Sequence, residues 1–354
     1  MLLIAALMAV LFNGRAFASE VGERHIIGVN PTAALRDADH RDTVRVTVWY
    51  PAAPDAKPVS LDIGPPDKPL FKVGSAAPNA AFADARRRPV ILFSHGFGGT
   101  ARMMAWFTLP LARAGYVVIA VDHPGNNGED KMTVGGAVML WDRAGDLAAA
   151  LAAAKADPVI GPHLDLQRLG VAGFSAGGFT SIVATGAHLD MSRLQAFCDA
   201  HPADGICAPQ KEFPLSTPQM LAALKSPELA SEAAHSGDDH SIPGVRAAFT
   251  IAPAAIVAFD PAALRADKTP FAIILGDADP VAAPATNGRL AARELPNVEL
   301  EELPGVGHYD FLSTCTPAGV AIVPACADKV PQEPTHQAAI NMALAFFKRT
   351  LGAP

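Results

Sequence analysis

Gly173-Phe174-Ser175-Ala176-Gly177 is a G-x-S-x-G pentapeptide set between an apolar run at Arg168–Phe174 and an apolar stretch at Gly177–Thr185. Glycines two residues either side of a serine let a strand and a helix approach closely around a strained turn, which leaves the hydroxyl standing clear as a nucleophile. The pentapeptide is a weak signal until that strand-turn-helix context is added. A serine hydroxyl attacks poorly unless a base takes its proton, and a histidine does so near neutral pH when a carboxylate fixes its tautomer. Both partners follow in chain order. Gly276-Asp277-Ala278-Asp279-Pro280 follows the expected strand Phe271–Leu275, and Pro304-Gly305-Val306-Gly307-His308 follows the expected strand Val298–Leu303. Loops at the carboxyl ends of parallel strands open on one edge of the sheet, so these side chains can meet.

Two carboxylates compete for the acid position. Asp279 lies further around the turn and is favoured over Asp277, which can instead close the loop; Asp260 and Asp310 are weaker rivals. Among histidines after Asp279, His336 falls at the expected start of the last helix and reads as a surface residue. An oxyanion needs donors, and Ser94-His95-Gly96-Phe97-Gly98-Gly99 supplies a flexible turn. The backbone N–H groups of Phe97 and of Ala176, the residue after the serine, are the expected pair. His95 and His123 flank strand ends, where supporting hydrogen bonds are the commoner role. His235-Ser236-Gly237-Asp238-Asp239-His240 carries metal-capable side chains but no regular element to hold them, and reads as a solvated loop. Trp106, Trp141 and Phe97 are candidate walls for an acyl pocket, with core packing the alternative for the tryptophans.

These residues need a scaffold, and the hydrophobic pattern supplies one. Thr43–Tyr50 alternates like a half-buried strand, with His25–Val29 as its expected antiparallel partner. Residues 51–88, rich in Pro, Ala and charge, read as an irregular excursion. Pro89–Ser94 and Tyr116–Val121 are continuous apolar runs suited to parallel strands covered on both faces. Met103–Ala114, Asp142–Lys155 and Asn287–Glu294 have helical spacing; Ala247–Ile251, Phe271–Leu275 and Val298–Leu303 read as further strands. A helix from Thr335 to Leu351, with Thr335 as N-cap and Gly352 past its end, closes the chain. The expected fold is α/β: a mostly parallel, doubly wound sheet with an antiparallel N-terminal edge. The stretch 186–243 has no strand signal and is placed as a lid-like insertion over the carboxyl edge. Residues 19–354 then make a single domain.

Half of the 354 residues are hydrophobic and 18% are charged, which suits a globule with a sizeable core. A net charge of −7 without a basic run excludes nucleic acid as a partner. Leu2–Phe12 is apolar but about half the length needed to cross a bilayer, and Ala16-Phe17-Ala18 has the spacing of a signal-peptidase site. The expectation is a signal peptide over residues 1–18, a mature chain from Ser19 with no stable membrane insertion, and a periplasmic or secreted location. Four cysteines agree with that compartment, and the close pairs Cys198/Cys207 and Cys315/Cys326 suggest two local disulfides.

FSHGFGG, GFSAGG, GDADPV and GVGHYDFL, in this order, resemble the α/β-hydrolase superfamily. Within it they are similar to the dienelactone-hydrolase-like group related to platelet-activating-factor acetylhydrolases, with a likeness running from about His25 to the last helix. The resemblance implies an eight-strand-type sheet, a serine esterase acting on a small-molecule or lipid-like ester without metal or organic cofactor, and Ser175, Asp279 and His308 as its triad. Dienelactone hydrolases proper use a cysteine nucleophile, so their lactone-degrading activity does not carry over to Ser175. The acetylhydrolases' acid follows an earlier strand, where this chain reads Thr250-Ile251-Ala252-Pro253 without a carboxylate, and this favours Asp279. The same constellation serves amide or peptide hydrolysis and acyl transfer, and a noncatalytic lipid- or protein-binding homologue is the rival of another class.

Overall fold

The computed structural model describes residues 20–327 and 330–354; the signal-peptide expectation lies outside the described residues. Twelve strands and eleven α-helices follow one another along the described chain. They run β1 (Glu20–Val29), β2 (Thr43–Ala52), β3 (Val59–Ser60), β4 (Phe71–Lys72), β5 (Ser75–Pro78), β6 (Arg88–Ser94), α1 (Ala105–Arg113), β7 (Val117–Asp122), α2 (Val134–Val138) and α3 (Arg143–Ala156). Then come β8 (Leu164–Phe174), α4 (Ala176–Val183), α5 (Met191–Ala200), α6 (Thr217–Ala223), α7 (Ala230–Ala233), β9 (Val245–Ile251), α8 (Pro261–Ala266) and β10 (Phe271–Gly276). The last are α9 (Gly288–Glu294), β11 (Val298–Leu303), β12 (Thr314–Cys315), α10 (Pro317–Ile322) and α11 (Gln332–Leu351).

Ten strands form one sheet in the order β11-β10-β9-β8-β6-β7-β2-β1-β5-β3. Strands β6 to β11 pair in parallel, and β2 turns the sheet antiparallel against β7 and β1. The continuous run of β6 explains its central place: Val90 and Leu92 face one core, Ile91 and Phe93 the other. Helices α3 and α4 cover the first face with Leu147, Phe179 and Ile182, while α1 and α11 cover the second with Phe107, Leu111 and Phe347. Among the described residues no helix is long and apolar enough to cross a membrane.

Four expectations need correction. β2 is covered on both faces, with Val44, Val46 and Val48 in one core and Trp49 in the other, because α3 and α1 both pack over it. The excursion 51–88 contains β3, β4 and β5, too short to show a period; β3 and β5 widen the eight-strand sheet to ten. The last helix begins at Gln332, with Pro334 in its first turn, where a missing N–H costs nothing. His336 is therefore not a surface residue but lies on the inner face of α11, 7% exposed, its ring stacked on Trp106 with centroids 3.8 Å apart.

The stretch 186–243 holds α5, α6 and α7 and no strand longer than a single bridge. Cys198–Cys207 and Cys315–Cys326 are disulfides, as their spacing suggested.

Candidate active site

Ser175 follows β8 directly and precedes α4, with φ 55° and ψ −116°, in the left-handed region that costs a side-chain-bearing residue energy. The flanking glycines are sterically required. A Cβ on Gly177 would lie 1.8 Å from the Ser94 carbonyl oxygen, and one on Gly173 2.2 Å from that of Gly177. The elbow is pinned by the Ser175 amide donating to the Ile251 carbonyl at 2.9 Å.

His308 comes from the loop after β11 and Asp279 from the loop after β10. His308 Nε2 lies 2.8 Å from Ser175 Oγ, and Nδ1 lies 2.6 Å from Asp279 Oδ2. All three residues are buried, at 5%, 3% and 4% exposed for Ser175, His308 and Asp279. Burial alone would raise the Asp279 carboxyl; the His308 ring beside it and the amides of Ala282 and Val281 outweigh burial and hold it below the usual carboxylate range. An ionised Asp279 therefore accepts from Nδ1–H, which leaves Nε2 to accept the serine proton.

The rivals are all placed elsewhere. Asp277 Oδ1 accepts from the Gly305 amide at 2.7 Å and closes the loop before His308. Asp260 caps α8, and Asp310 Oδ2 accepts from the Gly307 amide at 2.8 Å. His235 pairs with Asp238 on an exposed loop, and among the described residues no group of three or more His, Cys, Asp or Glu is placed to hold a metal.

Neither the Phe97 nor the Ala176 amide donates a hydrogen bond within the described chain. Between them the turn is fixed at Gly98, whose φ of +61° suits glycine and whose amide donates to Asn126 Oδ1 at 2.7 Å. Two cavities, about 80 and 250 Å³, meet at Ser175, and Phe97 lines both. Trp106 and Trp141 line neither; Trp141 is fully buried in the core.

Behind the turn lies a buried network that the sequence reading reached only in part. Asp146 of α3 takes a bidentate pair from Arg36, both contacts 2.7 Å, and also bonds Asn30 and His123 Nδ1 at 2.8 Å. Burial and the nearby Arg143 cation push His123 down to about 3, so it stays neutral and its Nε2 accepts from the Ser94 hydroxyl at 2.8 Å. Arg143 donates to the His95 carbonyl and to Thr180 Oγ1. His95 and His123 thus support the turn without lining the cavities. A charged pair spaced i, i+3 on the otherwise Ala- and Leu-rich α3 was the available signal for Arg143 and Asp146.

A nucleophile on a strained elbow, a bridging histidine and a buried carboxylate make the Ser-His-Asp arrangement of a serine hydrolase. The chain belongs to the alpha/beta hydrolase family, whose model matches residues 91–321. Among solved structures it is similar to a ferulic acid esterase from Streptomyces cinnamoneus, at 19% identity, with 95% of this chain and 91% of that one covered and a TM-score of 0.61. It also matches esterase 2 of Thermogutta terrifontis phosphorylated by paraoxon, at 16% identity over 92% and 94% of the two chains, with a TM-score of 0.48. A comparison with curated proteins finds no match. At 19% identity the likeness to the ferulic acid esterase speaks to the fold.

Proposed function

We propose that this chain is an exported carboxylic ester hydrolase working through an acyl-enzyme. The observation that carries the reading is the single imidazole bridging Ser175 Oγ at 2.8 Å and Asp279 at 2.6 Å. Ser175 Oγ bonds to the ester carbonyl carbon while His308 Nε2 takes its proton. The oxyanion is held by the amides of Phe97 and Ala176. The C–O bond to the alcohol then breaks, and His308 returns the proton to the departing oxygen. Water repeats the sequence on the acyl-serine and releases the acid. The motifs FSHGFGG, GFSAGG and GVGHYDFL support a place near the dienelactone-hydrolase-like group, with Ser175 in place of cysteine. Two disulfides support export to an oxidising compartment after loss of residues 1–18, and the stretch 186–243 is read as the lid.

Ser175→Ala tests the assignment. It removes the nucleophile and nothing the core needs, so turnover of p-nitrophenyl butyrate falls at least about 10³-fold with thermal unfolding unchanged. Full turnover by that variant would refute the role. Paired ester and amide substrates with the same acyl group separate esterase from amidase, and fluorophosphonate capture of Ser175 separates an enzyme from a binding homologue.

A further inference from the structure

The two cavities that meet at Ser175 differ in a way that fixes a direction across the site. The first is walled by α2, α5 and α6 and includes Ala176 but not His308. Apart from Phe97 its apolar lining is aliphatic, with Val138, Met191, Leu194, Met220 and Leu221, and it has no charged side chain. The donors of its polar side chains besides Ser175 are already engaged: Thr217 Oγ1 donates to the Ile206 carbonyl at 2.5 Å, and Gln210 Nε2 to those of Gly205 and Ala208 at 2.8 and 2.9 Å. Away from Ser175 and the Ala176 amide, a ligand in this cavity meets mostly apolar surface. The second cavity includes His308 but not Ala176, and carries Glu212 and Tyr309. Lys211 sits over the Tyr309 ring at 4.8 Å.

We infer that the acyl group occupies the aliphatic cavity and the alcohol the His308 cavity, so that the substrate is an ester of an aliphatic acid with a hydroxyl-bearing, non-anionic alcohol. This rests on the serine-esterase reading above. The proton that releases the alcohol comes from His308 Nε2, so the leaving oxygen must lie on the side that His308 lines. The acyl chain, on the other substituent of the same carbon, is directed to the opposite side. Glu212 accepts hydrogen bonds from alcohol hydroxyls and repels a phosphate on that side. Water for deacylation enters where the alcohol has left, within reach of the same imidazole.

The test is a panel of p-nitrophenyl esters from acetyl to decanoyl, with acetates of ethanol and hexanol and hexanoyl esters of glycerol and glycerol phosphate, on the full chain and three variants. In the wild type kcat/KM rises about fourfold per acyl methylene until the cavity is full. Leu221→Trp fills it and lowers the hexanoyl-to-acetyl ratio by about tenfold, while Met220→Ala enlarges it and moves the optimum to a longer chain. The hexanoyl ester of glycerol is cut about tenfold or more faster than that of glycerol phosphate, and Glu212→Gln narrows the gap. The inference is overturned if both cavity variants leave the acyl-length profile unmoved, or if Leu221→Trp acts on the hexyl-to-ethyl acetate ratio instead. Fluorophosphonate labelling of Ser175 is run on every sample. Labelled protein with an unmoved profile sinks the orientation alone, whereas unlabelled, folded wild type sinks the serine-hydrolase reading with it.

Discussion

Asp277 and Asp279 stand two residues apart on one loop, and their geometry separates two roles that composition could not. Asp277 ties the backbone of one loop to the next through the Gly305 amide, a contact that asparagine reproduces with its own carbonyl oxygen. In the proposed mechanism Asp279 holds the His308 tautomer and balances an imidazolium, and asparagine can balance no charge. Asp279→Asn is therefore expected to lower kcat by about 10⁴-fold, while Asp277→Asn leaves kcat within a few-fold and stability within about 0.5 kcal/mol. Equal losses in the two variants would reverse the assignment. The depressed carboxyl also has a stability consequence. Its native value lies below its ordinary 3.8, so it contributes stability that is present above about pH 4 and is lost as pH falls through the native value.

Elements that carry the site were legible wherever period and length agreed. β6, β8 and β10 stood out because parallel strands covered on both faces read as apolar runs, β11 at the sheet edge showed only Val298, Leu300 and Leu303 among glutamates, and the loops after β8, β10 and β11 carried serine, carboxylate and histidine in order. The network on α3 was not legible because its partners are remote: Arg36 meets Asp146 across 110 residues, and no local pattern announces such a pair. Its electrostatics make a pH prediction. Burial pushes Asp142 up to about 7, with the Glu232 and Asp146 carboxylates adding to the rise and the Arg36 cation opposing it. The native state then holds a proton that the unfolded chain has released, so this group's stabilisation falls as pH rises from about 3.8 to about 7. His123 acts in the opposite sense: with a native value of about 3 against an ordinary 6.5, the unfolded chain binds the extra proton and stability rises with pH across that window. The two slopes oppose each other between about pH 4 and 6.5. Asp142→Asn removes the falling one, so urea unfolding should show the variant gaining more stability with pH across that window than the wild type does. Parallel curves for the two proteins would refute this account.

At the scale of the whole molecule, the stretch 186–243 was the least legible part. Its short helices carry local caps, Asp190 on α5 and Ser216 with Gln219 on α6, but pack on each other, on α2 and on residues 256–258 with no strand period to place them. A tight contact also joins it to the acid loop. A Cβ on Gly205 would fall 2.1 Å from the Pro280 carbonyl oxygen and 2.4 Å from that of Val281, immediately after Asp279. The turn that carries Gly205 cannot easily retreat. Cys198–Cys207 ties it to α5, and Asp204 Oδ2 accepts from Thr286 Oγ1 at 3.0 Å on the far side of the acid loop. In Gly205→Ala the overlap must therefore be relieved by moving the acid loop, and with it the carboxylate that orients His308. A misplacement of about 1 Å at a catalytic group costs on the order of 10²-fold, so kcat should fall by roughly that factor although no triad residue is altered. The clamp supplies the control. Adding Cys198→Ser and Cys207→Ser to Gly205→Ala frees the turn to move away, and part of the lost kcat should return even though removing a disulfide costs about 3 kcal/mol of stability. If the disulfide variant alone keeps its activity and the combined variant is as slow as Gly205→Ala, then the turn does not press on the acid loop and the insertion is not what holds Asp279 in register.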